Sequence, residues 1–200
     1  KYIDGIHFSE LDKYDKEQFS KLVIRFSLVS LLYNNAVHCD LHSGNIIFIK
    51  EYDRENIINY KLGIIDYGIV VFPSRDNQND HYNFINSIFI NKKFTLDFLS
   101  SSIIEPQEFV DKLSQLEKDD IISKFNTLID KSISMCDFKP KTVIEWSQIL
   151  IRYGLKISTE ANKMCLSLLS CGESVRALAP NNWIDIYINE IELLNEFYKL

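Results

Sequence analysis

Two hundred residues, 46% hydrophobic and 25% charged, are enough for one sizeable core, so one compact domain over residues 1–200 is expected. A net charge of −6 argues against a nucleic-acid partner, because phosphate contacts need clustered Lys and Arg. Here the lysines are scattered and often sit beside acids, as in Glu117-Lys118-Asp119-Asp120, the pattern of a solvated face.

Four cysteines without CxxC spacing, Cys39, Cys136, Cys165 and Cys171, read as reduced thiols of an intracellular protein. No apolar run approaches the ~20 residues of a membrane span. No signal peptide opens the chain. It begins at Lys1 without a Met, as an excerpt of something longer would.

Tyr2 to Ile6 is a short apolar segment ending in a Gly turn. Asp15, with Gln18 three residues on, reads as the N-cap of a long helix over 15–34, ended by Asn34-Asn35. Phe19, Leu22, Val23, Phe26, Val29 and Leu32 recur along it at helical spacing. A polar loop at 38–45 leads into a strand, Ile46 to Ile49. Lys50–Asn59 is expected to be the hairpin connection, and Tyr60–Ile65 the return strand. Ser74–Asp80 is a polar connection. From His81 to the end every segment reads as helix, over 81–90, 93–103, 106–117, 119–135, 142–156, 159–178 and 183–199. Pro106 suits a helix N1 position, Pro140 and Pro180 are breakers, and Thr142 and Ser158 are candidate caps. The fold class expected is mainly α with a short β-ribbon, an α+β arrangement.

The chemistry concentrates in His38-Cys39-Asp40-Leu41-His42-Ser43-Gly44-Asn45 and Ile64-Ile65-Asp66-Tyr67-Gly68. Phosphoryl transfer needs an aligned acceptor oxygen and neutralised phosphate charge. Asp40 can orient or deprotonate an acceptor hydroxyl or water. Asn45 and Asp66 offer the hard oxygens that Mg2+ prefers. Gly44 and Gly68 allow backbone positions that a side chain would block. His38 suits a role in pinning the loop, and His42 is either a loop-structuring residue or a contact to phosphate or substrate. A metal-hydrolase reading of His38-x-Asp40-x-His42 lacks further ligands, since only His7 and His81 remain. Cys39 beside a carboxylate is a poor nucleophile and reads as a small buried residue. Trp146 and Trp183 read as core, and Arg176 as a structural cap or an inter-helix ion pair.

These two motifs resemble the catalytic loop (H-x-D-P-H-P-G-N) and the D-F-G motif of the UbiB/AarF/ADCK atypical kinase-like family. Tyr2-Ile3-Asp4-Gly5-Ile6 is similar to the family's hinge, and Leu166–Pro180 to a family helix ending in R-x-L-x-P. The resemblance runs from about residue 1 to about residue 190. It implies a protein-kinase-like large lobe: hinge at 1–6, catalytic loop, ribbon and Asp66-Tyr67-Gly68 at 38–68, helices at 81–200. It also implies ATP and Mg2+ as cofactors, Asp40 as catalytic residue, Asn45 and Asp66 as metal ligands, and Asp4 near the ribose. The implied role is atypical kinase or ATPase chemistry linked to quinone or lipid metabolism, with peripheral membrane association. The compartment is mitochondrial or membrane-associated by the resemblance alone, and the lipid, small-molecule or protein substrate is unassigned.

Leu41 and Ser43 stand where the family has prolines, and H-x-D-L-H also occurs in small-molecule kinases of the choline and aminoglycoside type. The family's upstream K-x-G-Q helix, alanine-rich nucleotide loop and phosphate-binding Lys do not occur in these 200 residues. The expectation is therefore a large lobe that is inactive by itself, with a non-catalytic pseudokinase scaffold as a further reading.

Overall fold

The computed structural model describes residues 4–134 and 139–198; Tyr2 and Ile3 of the expected hinge, and Cys136, lie outside them. The described part is mainly helical with short strands in two-stranded sheets, as expected for a kinase-like lobe. No helix among the described residues is long and apolar enough to cross a membrane. The chain divides into two compact units, residues 1–71 with 170–200, and residues 72–169.

The first unit is built on helix α1, Lys13–Leu32. Its N-cap is Asp12, not Asp15: the Asp12 carboxylate accepts from the Asp15 backbone N–H at 2.7 Å. Asp15 satisfies the same cap pattern by composition, yet it lies one turn inside and is buried. Phe19, Val23, Ile24, Leu28 and Leu31 form the fully buried stripe, with Leu22, Phe26 and Val29 on its flanks. Asn35 ends the helical region in the left-handed conformation, φ 47°, which Asn tolerates.

Strand β1 (Val37–His38) pairs antiparallel with β4 (Val70–Val71), a two-residue contact too short to show as a strand pattern. The ribbon of β2 (Ile46–Tyr52) and β3 (Ile58–Ile64) pairs from Ile46↔Ile64 to Tyr52↔Ile58. It is longer than expected, because the connection shrinks from 50–59 to Asp53–Ile57. Asp53 makes that turn by accepting the Glu55 and Ile57 amides, while Asn56 takes φ 59°. Ile46 and Phe48 alternate inward. Phe48 and Tyr60 meet Phe19 of α1, with ring centroids at 4.9 and 5.2 Å.

In the segment expected to be the hinge, the Ile6 N–H donates to Phe48 O at 2.7 Å. A Cβ on Gly5 would lie 2.2 Å from Ile47 Cγ2, so only glycine lets the chain pass this close to the ribbon. The unit is completed by the C-terminal part of α6 (Thr159–Leu178) and by α7 (Trp183–Tyr198). Arg25 grips the buried Glu190 through Nε at 2.8 Å and Nη2 at 3.1 Å. Trp183 is core, and Arg176, in the last turn of α6, lies 5.2 Å over its ring as a cation–π partner.

In the second unit α2 is Gln78–Phe89, preceded by a 3₁₀ turn at Arg75–Asn77 where only a polar connection was expected. The expected 93–103 helix is a 3₁₀ turn at Leu96–Ser100, and the expected 106–117 helix is only α3, Gln107–Val110. Pro106 is the residue before α3, not its N1. Strand β5 (Ile104–Glu105) pairs with β6 (Lys156–Ile157), mostly in the gaps between the expected helices, where no strand was expected. α4 is Gln115–Ser134, and α5 is Pro140–Ile151 with the proline at N1 rather than as a breaker. Thr142 is no cap; its buried hydroxyl meets that of Ser132 at 3.0 Å. Ser158 does cap α6, accepting the Ala161 N–H. The core is an aromatic cluster of Phe84, Phe94, Phe98, Phe125 and Trp146, in which Phe125 and Trp146 stack at 5.5 Å and 7°.

Candidate active site

The 38–45 loop and the Asp66-Tyr67-Gly68 turn meet through one buried imidazole. His38, at 3% exposure, accepts the Asp40 backbone N–H on Nδ1 at 3.2 Å, which leaves Nε2 as the protonated nitrogen. Nε2 faces the Asp66 carbonyl oxygen at 3.1 Å. A single ring thus ties the main chains of both aspartates to each other. The Tyr67 ring lies 5.4 Å from the same imidazole.

Asn45 is the second tie. Its side-chain Nδ2 donates to Asp40 O at 2.9 Å, its backbone N–H to His42 O at 2.9 Å, and its own carbonyl accepts the Ile65 N–H at 3.0 Å. A buried amide whose nitrogen is committed in this way presents its Oδ1 as the oxygen left to coordinate. Ser43–Asn45 forms a 3₁₀ turn, capped by His42 Nδ1 accepting the Gly44 N–H. A Cβ at Gly44 would meet the His42 ring at 2.9 Å, so this cap also depends on a glycine. His42 Nε2 lies 3.7 Å from Asp40 Oδ2, an exposed ion-pair distance.

Asp66 takes φ 55°, a left-handed conformation that costs a non-glycine residue about 1–2 kcal/mol. Its Oδ1 accepts the Gly68 N–H at 3.2 Å and offsets part of that cost. A Cβ at Gly68 would sit 3.1 Å from the same oxygen. The other carboxylate oxygen of Asp66 has no protein partner among the described residues, and the residue is exposed. Asp4 is exposed on the hinge segment. Cys39 is half-buried, with its thiol directed to Val37 O at 3.8 Å.

This donor set fits Mg2+. The ion takes one or two carboxylates and completes its octahedron with water and phosphate oxygens. By donor type, the Asp66 carboxylate oxygen and the Asn45 Oδ1 are hard oxygens of the kind such an ion takes. No group of three or more His, Cys, Asp or Glu among the described residues forms a self-sufficient metal cage.

Two supports escaped the sequence reading. Ser174 donates its buried hydroxyl to Leu41 O at 2.7 Å, and Leu41 is itself 1% exposed, so the loop is pegged into the core where the family has a proline. Asp15 accepts from Lys50 Nζ at 2.8 and 3.0 Å and from the Tyr60 hydroxyl at 2.7 Å. That clamp fastens α1 to the ribbon whose two strands end at Asn45 and Asp66. One of the three serines of α6, and an acid already assigned as a cap, gave no signal of either.

The family model of the ABC1 atypical kinase-like domain matches residues 1–97. No curated protein and no solved structure matches the chain. The match covers the loop, the ribbon and the Asp66 turn, so residues 1–97 are similar to the ABC1 atypical kinase-like domain, in line with the resemblance to the UbiB/AarF/ADCK family.

Proposed function

We propose that this chain supplies the acceptor-side and metal-side half of a phosphoryl-transfer or ATP-hydrolysis site. The observation that carries the reading is the His38 bridge, which holds Asp40 and Asp66 in fixed relation while Asn45 is locked to Asp40. Asp40 is half-exposed and orients the acceptor hydroxyl or water, taking its proton as the bond to phosphorus forms. Asn45 Oδ1 and Asp66 are the residues that would hold Mg2+, which when bound would neutralise charge on the nucleotide phosphates. Gly68, through its N–H, keeps the Asp66 carboxylate from rotating away. The lobe carrying the phosphate-binding Lys is not among these residues, so turnover belongs to a protein that adds it. The family resemblance supports a lipid or isoprenoid-quinone setting at a membrane surface inside the cell.

The second reading is a small-molecule phosphotransferase. It is favoured by Leu41 and Ser43 in place of prolines. Both readings share the same metal half.

The test uses a protein that joins this chain to a kinase small lobe, followed by thermal shift with ATP and Mg2+. Magnesium-dependent stabilisation is expected and disappears in Asp66→Asn. Asn tolerates the left-handed backbone and keeps the Gly68 acceptor, so the fold is spared. Asp40→Asn keeps the stabilisation and loses turnover. Equal stabilisation of the wild type and Asp66→Asn sinks the metal assignment. Turnover retained by Asp40→Asn sinks the catalytic one.

A further inference from the structure

A hydroxyl on a helix has one proton to give, and its nearest acceptor is the carbonyl four residues back. Ser20, Thr127 and Ser147 spend it there, on Lys16, Ser123 and Val143. Ser174 of α6 spends it elsewhere, on Leu41 O at 2.7 Å, across 133 residues of sequence. Both residues are buried, at 2% and 1% exposure, so water does not compete for the bond.

That bond completes a set around Asp40. The Asp40 N–H donates to His38 Nδ1 at 3.2 Å, the Asp40 carbonyl accepts from Asn45 Nδ2 at 2.9 Å, and the next carbonyl, that of Leu41, accepts from Ser174. Three successive peptide planes are held in this way, which restrains φ and ψ at both Asp40 and Leu41. The first two ties come from the loop itself. Ser174 adds the tie to a long helix, at a residue whose φ no proline ring restrains. The Asp40 carboxylate is half-exposed, with His42 Nε2 3.7 Å from it, so its direction is inherited from the main chain.

We propose that Ser174 is a positioning residue for Asp40: through Leu41 it sets the direction from which the carboxylate meets the acceptor, and it leaves metal binding to Asn45 and Asp66. This role rests on the phosphoryl-transfer reading above. It assigns a part in the site to a helix that lies outside residues 1–97.

The test takes the protein that joins this chain to a kinase small lobe and compares Ser174→Ala and Ser174→Thr with the wild type. In Ser174→Ala the kcat for ATP turnover is expected to fall on the order of tenfold, the scale of a sub-ångström misplacement, with KM for ATP and the magnesium-dependent thermal stabilisation unchanged. Ser174→Thr keeps the hydroxyl and is expected to recover most of that loss. In the ¹⁵N-labelled 200-residue chain, Ser174→Ala is expected to lower the amide order parameters of residues 40–42 and to leave those of 46–52 as they are. A merely structural serine would lower the melting temperature and move neither readout. An unchanged kcat in Ser174→Ala, a fall in kcat accompanied by loss of the magnesium-dependent stabilisation, or unchanged order at 40–42 overturns the proposal. A wild type with neither turnover nor magnesium-dependent stabilisation sinks the phosphoryl-transfer reading itself, and the positioning role with it.

Discussion

His38 is the residue on which the candidate site turns, because its two ring nitrogens serve two different motifs. Removing the ring takes the hydrogen-bond partner from the Asp40 N–H and the Asp66 carbonyl, a loss of about 0.5–1.5 kcal/mol for each bond. His38→Ala is expected to lower stability by that order in urea unfolding, and to loosen the Asp66 turn enough to weaken metal binding. A second histidine makes a separate prediction. His81 is 2% exposed, 3.3 Å from Glu160 Oε1. Burial holds its pKa below the ordinary 6.5, against the opposing pull of Glu160 and Asp80. The folded imidazole thus stays neutral while the unfolded one charges. Its contribution is fully present above pH 6.5 and is lost as pH falls through that value. In His81→Gln the stability lost between neutrality and pH 5, measured by urea unfolding, is expected to be smaller than in the wild type.

Among the elements, the ribbon depends on a clamp of buried charge. Burial disfavours the Asp15 carboxylate, but hydrogen bonds from Lys50 and Tyr60 outweigh it and hold the pKa below 3.8. The Asp15 contribution is present above that value and is lost as pH falls through the lower folded-state one. Lys50 is pushed the opposite way, above 10.5, chiefly by its hydrogen bond to Asp15, so its share is lost as pH rises through the raised value. Asp15→Ala strands a half-buried lysine and is expected to lower the melting temperature by roughly 5 °C or more. An unchanged melting temperature would show the clamp to be ornamental. The same element shows what the sequence could and could not disclose. Helical periodicity from Phe19 to Leu32 marked α1, and β-branched runs marked the ribbon, because burial of one face writes its period into the chain. The cap was misplaced by three residues because Asp12 and Asp15 satisfy the same local pattern, and only packing against Lys50 and Tyr60 separates them. Residues 93–103 misled in another way. Phe94, Phe98 and Leu99 are spaced as in a helix, but they fill an aromatic core from an irregular segment held by Asn126 and Gln107. Asp40, Asn45 and Asp66 stand out as candidates in the sequence because they sit in short contiguous motifs. Ser174, 133 residues from its partner Leu41, does not.

For the whole molecule, the family match ends at residue 97, whereas the compact unit holding the loop is completed by residues 170–200. Cys171, Val175, Trp183, Tyr187, Ile191 and Leu194 are buried there, and Glu190 answers Arg25. Burying six such side chains contributes roughly 10 kcal/mol, about the whole net stability of a domain. A protein of residues 1–97 alone is therefore expected to lack dispersed amide signals and a cooperative melt. A folded 1–97 would show that the C-terminal helices are dispensable. On the proposed function, Asp40, Asn45 and Asp66 form the acceptor-side and metal-side half of a phosphoryl-transfer site. Paramagnetic broadening by Mn2+ with ADP, recorded on the ¹⁵N-labelled chain, tests it most directly because it registers weak binding. The account predicts broadening centred on residues 38–45 and 66–68 that vanishes in Asp66→Asn. Broadening centred on the acidic run at 117–120, or unchanged by Asp66→Asn, would contradict it.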